Sequence, residues 1–128
     1  MAEITTSVNW LAVGVGAFLS YLLGWLWYSP KLFGTKWAEG VGVSLAGSAE
    51  MPIAAMAFQA LATFFLAWTV GITAVNNALF TMILIVVTIL LLMTAAGLFA
   101  KKSTYAITVE MGFVVAMTVI MVVCQGLL

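Results

Sequence analysis

The sequence carries very little charge. Four lysines and four acidic residues account for 6% of its 128 residues, whereas an ordinary soluble domain carries about 25% charged residues. Hydrophobic residues make up 66% of the chain, and a soluble domain of this size could not cover so much apolar surface. The composition therefore excludes a soluble enzyme, a nucleic-acid-binding protein and a disordered chain.

Histidine is absent, and Cys124 is the only cysteine. These two facts exclude an intrachain disulfide framework, a His–Cys metal cluster, haem ligation by histidine and a His-based catalytic triad. The net charge is zero, so no overall field favours a basic or an acidic partner. We expect no cofactor, no metal site, no catalytic residue and no nucleic-acid partner.

Long uncharged runs dominate the sequence instead, at 4–30, 51–100 and 111–128. A helix needs about 20 apolar residues to cross a bilayer, so the middle run is long enough for two helices, divided at the polar pair Asn76-Asn77. We predict an all-α integral membrane bundle of four transmembrane helices that forms a single domain over 1–128, with a loop at 29–51. The helices are expected at about 8–28, 52–75, 78–100 and 104–126, and Ser48 is a plausible N-cap before the second.

The lysines predict the orientation of the bundle. All four lie in the two loops that follow the first and third helices, and the opposite side has no lysine or arginine. The positive-inside rule places these loops in the cytoplasm and both termini outside it, in the plasma (inner) membrane. An inner aromatic belt is then expected from Trp25, Trp27, Tyr28 and Tyr105.

The first part of the long loop, 31–37, mixes two lysines with large apolar side chains. One interpretation is a short segment that lies on the inner membrane surface, with its lysines near anionic headgroups. A plain loop with buried aromatic residues explains the same composition equally well.

Small residues recur at helical spacing along each predicted span, which allows close approach of helix backbones in lipid. We expect these stripes to pack chiefly within the bundle. The first helix has Ala12, Gly16, Ser20 and Gly24; the second has Thr63, Ala67 and Gly71; the third has Thr81, Thr88 and Ala95; the fourth has Thr104, Thr108, Gly112 and Ala116.

Glu110 is the only ionisable acid or base well inside a predicted span. It lies eight residues past Lys102, which is roughly 12 Å inward on a regular helix. A charge at the membrane centre costs about 2.5–3.5 kcal/mol on insertion scales, and somewhat less at this depth. We therefore expect Glu110 to pair with a cation, to line water or to bind a proton.

Other polar side chains fall at a depth similar to that of Glu110, and together they predict a polar layer. They are Ser20, Tyr21, Gln59, Thr63 and Thr94. One interpretation is a proton or substrate site around Glu110. The alternative is a hydrogen-bonded cluster that fixes helix register, or a glutamate that extends to the headgroups.

The position of Glu110 also predicts a homo-oligomer. Glu110 lies two residues from both Thr108 and Gly112 and so points away from the small-residue stripe. Both faces of the fourth helix then look unsuited to lipid, and a second copy would cover one of them. A different membrane protein is a possible partner as well.

The start and end of the first helix, with the residues that follow, resemble a known family. The motifs are Val8-Asn9-Trp10-Leu11-Ala12-Val13, Gly24-Trp25-Leu26-Trp27-Tyr28-Ser29-Pro30, Leu32-Phe33-Gly34 with Trp37, and Glu110-Met111-Gly112-Phe113. They are similar to the bacterial membrane family called domain of unknown function 1761. The resemblance implies a four-helix protein of a bacterial membrane, and it supplies no activity or site residue.

Two functions are consistent with these features. The first is a small oligomeric transporter or channel that uses Glu110 as its membrane-embedded carboxylate; the comparison with small multidrug exporters is an analogy only. The second is a non-catalytic accessory or scaffold subunit of a membrane complex. A membrane enzyme is the least supported, because a single buried carboxylate provides little acid–base chemistry.

Overall fold

A computed structural model of the protein describes residues 2–29, 31–42 and 53–128. The regular structure of these residues is entirely helical, and Ser48, the expected N-cap, lies outside them. The helices are α1 (Ala2–Thr5), α2 (Trp10–Trp27), α3 (Gly34–Val41), α4 (Ile53–Val75), α5 (Leu79–Phe99) and α6 (Thr104–Leu127).

Helices α2, α4, α5 and α6 are each long and apolar enough to cross a membrane. The predicted all-α fold with four spans is therefore confirmed. Their ends lie within two residues of the expected ones, and the expected break at Asn76-Asn77 separates α4 from α5. The orientation of the termini stays a prediction.

Local sequence explains where the spans begin and end. The side chains of Asn9 and Ser103 cap α2 and α6, and each accepts a hydrogen bond from the backbone N–H three residues later, at 3.1 and 3.0 Å. Asn77 and Lys101 follow α4 and α5 in the left-handed region, with φ of 53° and 60°. This conformation reverses the chain, and asparagine tolerates it better than lysine does.

Helix α6 lies at the centre of the bundle and packs against α2, α4 and α5, while α2 also packs closely on α4. Gly16 lets the backbone of α6 come close to α2, because a Cβ built there would already lie 3.4 Å from the Cα of Met121. Gly24 lies against the ring of Phe113. The small-residue stripe of α2 therefore lets α6 approach its backbone.

The other stripes divide into two groups. Thr63, Ala67 and Gly71 of α4 are buried in the bundle. The stripe of α5 is exposed along its length, so the expectation that it packs within the bundle is wrong; α5 instead buries Met82, Val86 and Gly97. On α6, Thr104 and Thr108 are exposed as well, whereas Gly112 lies against Trp27 and Ala116 is half-buried.

Candidate functional site

The chain turns back on itself after α2 and places α3 against the beginning of α6. The N–H of Phe33 donates to the Trp27 carbonyl at 3.2 Å, and the N–H of Gly34 donates to the Ser29 carbonyl at 2.9 Å. A Cβ on Gly34 would overlap the carbonyl of Tyr28. Glycine at this position therefore makes the tight turn possible.

The far end of α3 is attached to the beginning of α6. The N–H of Ser103 donates to the carbonyl of Gly40 at 3.0 Å. A Cβ on Gly40 would overlap the Ser103 hydroxyl and lie 2.7 Å from the Cβ of Ala106. The two lysine-bearing loops, which are far apart in the sequence, are thus joined through their backbones.

Glu110 has its partners within the chain, at the junction of α3 and α6. Lys102 Nζ lies 3.0 Å from both carboxylate oxygens, and the indole N–H of Trp37 donates to Oε2 at 2.9 Å. The Glu110 side chain is 16% exposed and that of Lys102 is 31% exposed. A charge-assisted hydrogen bond and an ion pair together offset the cost of placing this carboxylate in the bundle.

Aromatic rings enclose the pair. The ring of Tyr28 meets Trp37 and Phe113 edge-on, with centroid distances of 4.9 and 5.3 Å. Burial, with the nearby Glu110 carboxylate as the lesser cause, raises the pKa of the Tyr28 hydroxyl well above its ordinary value. We call Tyr28, Trp37, Lys102 and Glu110 the Glu110 cluster.

The polar side chains expected near Glu110 bond elsewhere. The Tyr21 hydroxyl donates to the carbonyl of Met56 at 3.4 Å, and Gln59 Nε2 donates to Thr63 Oγ1 at 3.1 Å. The Thr63 hydroxyl in turn donates to the backbone carbonyl of Gln59, in the same helix, at 2.7 Å. These side chains join α2 to α4, bond within α4 or, through the Thr63 hydroxyl at 4.0 Å from the Met117 sulfur, reach α6, and none of them is hydrogen-bonded to Glu110.

Thr94 and Ser20 also lie apart from the Glu110 cluster. The Thr94 hydroxyl donates to the Leu90 carbonyl at 2.9 Å and lies 3.0 Å from the sulfur of Met111. Ser20 is fully buried, and its hydroxyl has no hydrogen-bond partner among the described residues. The expected polar layer is therefore a set of separate contacts.

The residues that surround Glu110 were only partly evident in the sequence. Lys102 precedes Glu110 by eight residues, close to two helical turns, and this spacing could have suggested the pair. Trp37 gave no such signal, because its position depends on the docking of α3. Tyr28 and Trp27, which were expected in the inner aromatic belt, are half-buried. The Trp27 indole N–H donates to the Val109 carbonyl at 3.0 Å.

Glu110 does not line either of two depressions on the described surface. One lies at the α3–α6 junction and is lined by Lys36, Glu39, Gly40, Ser103 and Tyr105. The other lies beside the turn between α4 and α5 and is lined by Val70, Thr73, Ala74, Asn77, Ala78, Leu79, Met82 and Val122. The carboxylate is therefore largely covered, at 16% side-chain exposure, and it does not line either depression.

A comparison with known protein families matches residues 11–126 to the family described as Protein of unknown function (DUF1761). The chain belongs to the DUF1761 family. The resemblance noted in the sequence is thereby confirmed over nearly the whole chain. Searches of curated proteins and of solved structures found no match. The function of this DUF1761 protein must therefore be argued from its own residues.

Proposed function

We propose that this DUF1761 protein is a non-catalytic accessory or scaffold subunit of a membrane complex. In this proposal it assembles through the first half of α4, in a bacterial plasma membrane with the lysine-bearing loops in the cytoplasm. The observation that carries the proposal is an exposed amide, Gln59, in a transmembrane helix.

Gln59 is exposed and lies six residues after the first residue of α4, Ile53, or about 9 Å along the helix. Its Nε2 donates to Thr63 Oγ1, while its side-chain carbonyl accepts no hydrogen bond from any described residue. Water is scarce at such a position, so the unpaired carbonyl of this amide is costly there. Another transmembrane helix that supplies a donor would remove this cost.

The residues beside Gln59 favour close approach of such a helix. Ala55 and Ala62 lie four residues before and three residues after it, on the same face of α4, and both are exposed. Small side chains at these positions let two backbones come near enough for an interhelical hydrogen bond. A second copy of the chain is the partner that we propose first, because the same face on both copies is self-complementary.

Glu110 gives the transporter hypothesis less support than its depth in the sequence suggested. A proton-coupled carboxylate has to exchange its proton with water and with the transport path. Here the carboxylate is paired with Lys102 and hydrogen-bonded to Trp37, and Glu110 lines neither of the two depressions. Because these partners lie within the chain, Glu110 needs no second copy to cover it. The support for a homo-oligomer therefore comes from Gln59.

Cysteine cross-linking in native membranes tests the proposed interface. Ala62→Cys on a Cys124→Ser background should form a disulfide-linked dimer when an oxidation catalyst is added. Ala95→Cys on the same background is the matched control, because Ala95 is an exposed alanine on α5, and it should stay monomeric. Adding Gln59→Leu to the Ala62→Cys chain should lower the dimer yield.

The mass of the protein extracted in its native lipid separates the remaining outcomes. A mass of two or more copies supports the homo-oligomer, and one copy with a co-purifying membrane protein supports a scaffold for a different partner. A single copy without a partner, together with equal cross-linking at Ala62→Cys and Ala95→Cys, would contradict the proposal.

A further inference from the structure

Three exposed lysines lie on the two segments that meet where α3 packs against α6. Lys31 and Lys36 lie on the turn before α3 and on α3 itself, and Lys101 lies in the turn between α5 and α6. The Gly40–Ser103 hydrogen bond joins these two segments, and Lys36 Nζ lies 5.4 Å from the centroid of the Tyr105 ring on α6. We call Lys31, Lys36 and Lys101 the lysine surface.

These three lysines are not neutralised within the described part of the chain. Among those residues, the lysine–carboxylate pair within ion-pair distance is Lys102–Glu110. All three lysines are exposed, and Glu39, the acid on the same surface, is not within ion-pair distance of any of them. The surface therefore carries more positive than negative charge and is open to an anion.

Apolar side chains are exposed directly beside the lysine surface. Leu32 follows Lys31 and is 48% exposed, while Phe99 lies two residues before Lys101 and is 89% exposed. Trp25, in the last turn of α2, is exposed as well. Lysines beside exposed apolar groups are typical of the boundary between hydrocarbon and headgroups, where the ammonium reaches outward and the rest stays in lipid.

We propose that the lysine surface binds the anionic headgroups of membrane phospholipids. The phosphate of a lipid supplies the negative charge that the three ammonium groups lack, and its acyl chains lie along the exposed apolar residues. Trp25 and Phe99 belong to transmembrane helices, so lipid already lies against them and its headgroups lie next to the lysines. A soluble anion has no such apolar contact. Charge and apolar surface together therefore favour a lipid as the ligand. The inference does not depend on assembly through α4.

Lipid binding to the purified full-length chain tests the inference. Native mass spectrometry in mild detergent would compare the binding of phosphatidylglycerol with that of phosphatidylcholine. We expect a preference for phosphatidylglycerol that decreases as salt rises. The preference should fall by about fivefold for each lysine changed to glutamine, in keeping with the usual attraction of a lysine to an anionic membrane surface.

The matched variants are Lys31→Gln/Lys36→Gln/Lys101→Gln and Lys31→Arg/Lys36→Arg/Lys101→Arg. The arginine variant should retain the preference and the glutamine variant should lose it, while both keep the thermal unfolding midpoint of the wild type. Equal preference in the wild type and the glutamine variant would overturn the inference. Displacement of the lipid by an equal concentration of glycerol phosphate would overturn it too, because the ligand would then be a soluble anion. When the same lysine changes are added to the Ala62→Cys, Cys124→Ser chain, cross-linking through α4 should stay unchanged.

Discussion

Glu110 illustrates how a membrane protein accommodates one carboxylate. The cost of an ion in a span falls when a cation and hydrogen-bond donors surround it. Lys102 supplies the cation from the turn before α6, and Trp37 supplies a donor from α3. The carboxylate thereby fixes α3 to α6, which is a structural role that requires no transported substrate.

Replacing the carboxylate tests this role. Glu110→Gln should lower the free energy of unfolding by about 1 kcal/mol, since the ion pair is partly exposed. Trp37→Phe should also lower the free energy of unfolding by about 1 kcal/mol, because its hydrogen bond to Glu110 is lost. Denaturant unfolding in detergent would measure both, and assembly should survive. If Glu110→Gln instead abolished proton-linked uptake into vesicles without a loss of stability, the transporter hypothesis would be favoured.

Tyr28 predicts an alkaline loss of stability. Its pKa is raised in the folded protein, chiefly by burial, so folding favours the protonated hydroxyl. This contribution is fully present below the unfolded-state pKa of about 10 and is lost as the pH rises above it towards the folded-state pKa. The unfolding midpoint of the wild type should thus fall more steeply above that pH than the midpoint of Tyr28→Phe. Parallel curves for the two chains would contradict this expectation.

The sequence predicts the position of the Glu110 carboxylate but not all of the residues around it. The depth of Glu110 follows from helix geometry, and a rim lysine is within reach of it. Trp37 and Tyr28 could not be assigned, because both depend on how the chain folds back at Gly34. That turn is set by contact between backbone segments, and the periodicity of apolar residues does not record such contacts.

Among the helices, small residues mark possible contacts but do not say which contacts form. The stripes of α2 and α4 face the bundle, whereas the stripe of α5 is exposed. Every span is apolar on all sides, so periodicity cannot distinguish the side towards lipid from the side towards protein. The number and approximate limits of the four spans were therefore predictable, while the short helices α1 and α3 and the buried face of each span were not.

Two glycines on α2 provide a matched comparison. Gly16 packs against Met121, while a Cβ on Gly14 would meet nothing within 4 Å. Gly16→Leu should destabilise the bundle by about 1–3 kcal/mol through overpacking. Gly14→Leu should be neutral or stabilising, because leucine is the better helix former. Thermal unfolding in detergent would measure both, and equal effects would show that α2 does not pack on α6 through Gly16.

For the whole molecule, the distribution of lysines sets the expected topology. Lys31, Lys36, Lys101 and Lys102 belong to segments that meet at one end of the bundle. The turn at Asn76-Asn77 lies at the other end and is uncharged. The positive-inside rule then predicts that the lysine end is cytoplasmic.

Labelling of intact cells checks this topology. On a Cys124→Ser background, Asn76→Cys should react with a membrane-impermeant maleimide added outside the cells. Ala100→Cys should react only after the cells are permeabilised. Both parent residues are exposed in the structure, so access to the reagent decides the result. The reverse pattern would show that the lysine end lies outside the cytoplasm.

The attachment of α3 to α6 has a consequence for biogenesis. The ribosome completes α3 well before it reaches Ser103 and Glu110, the residues that hold α3 in place. This segment therefore stays unattached to α6 during synthesis and is secured only after the last helix has formed. A chain that stalls before α6 would keep this segment accessible to proteases, so its cleavage would report incomplete synthesis.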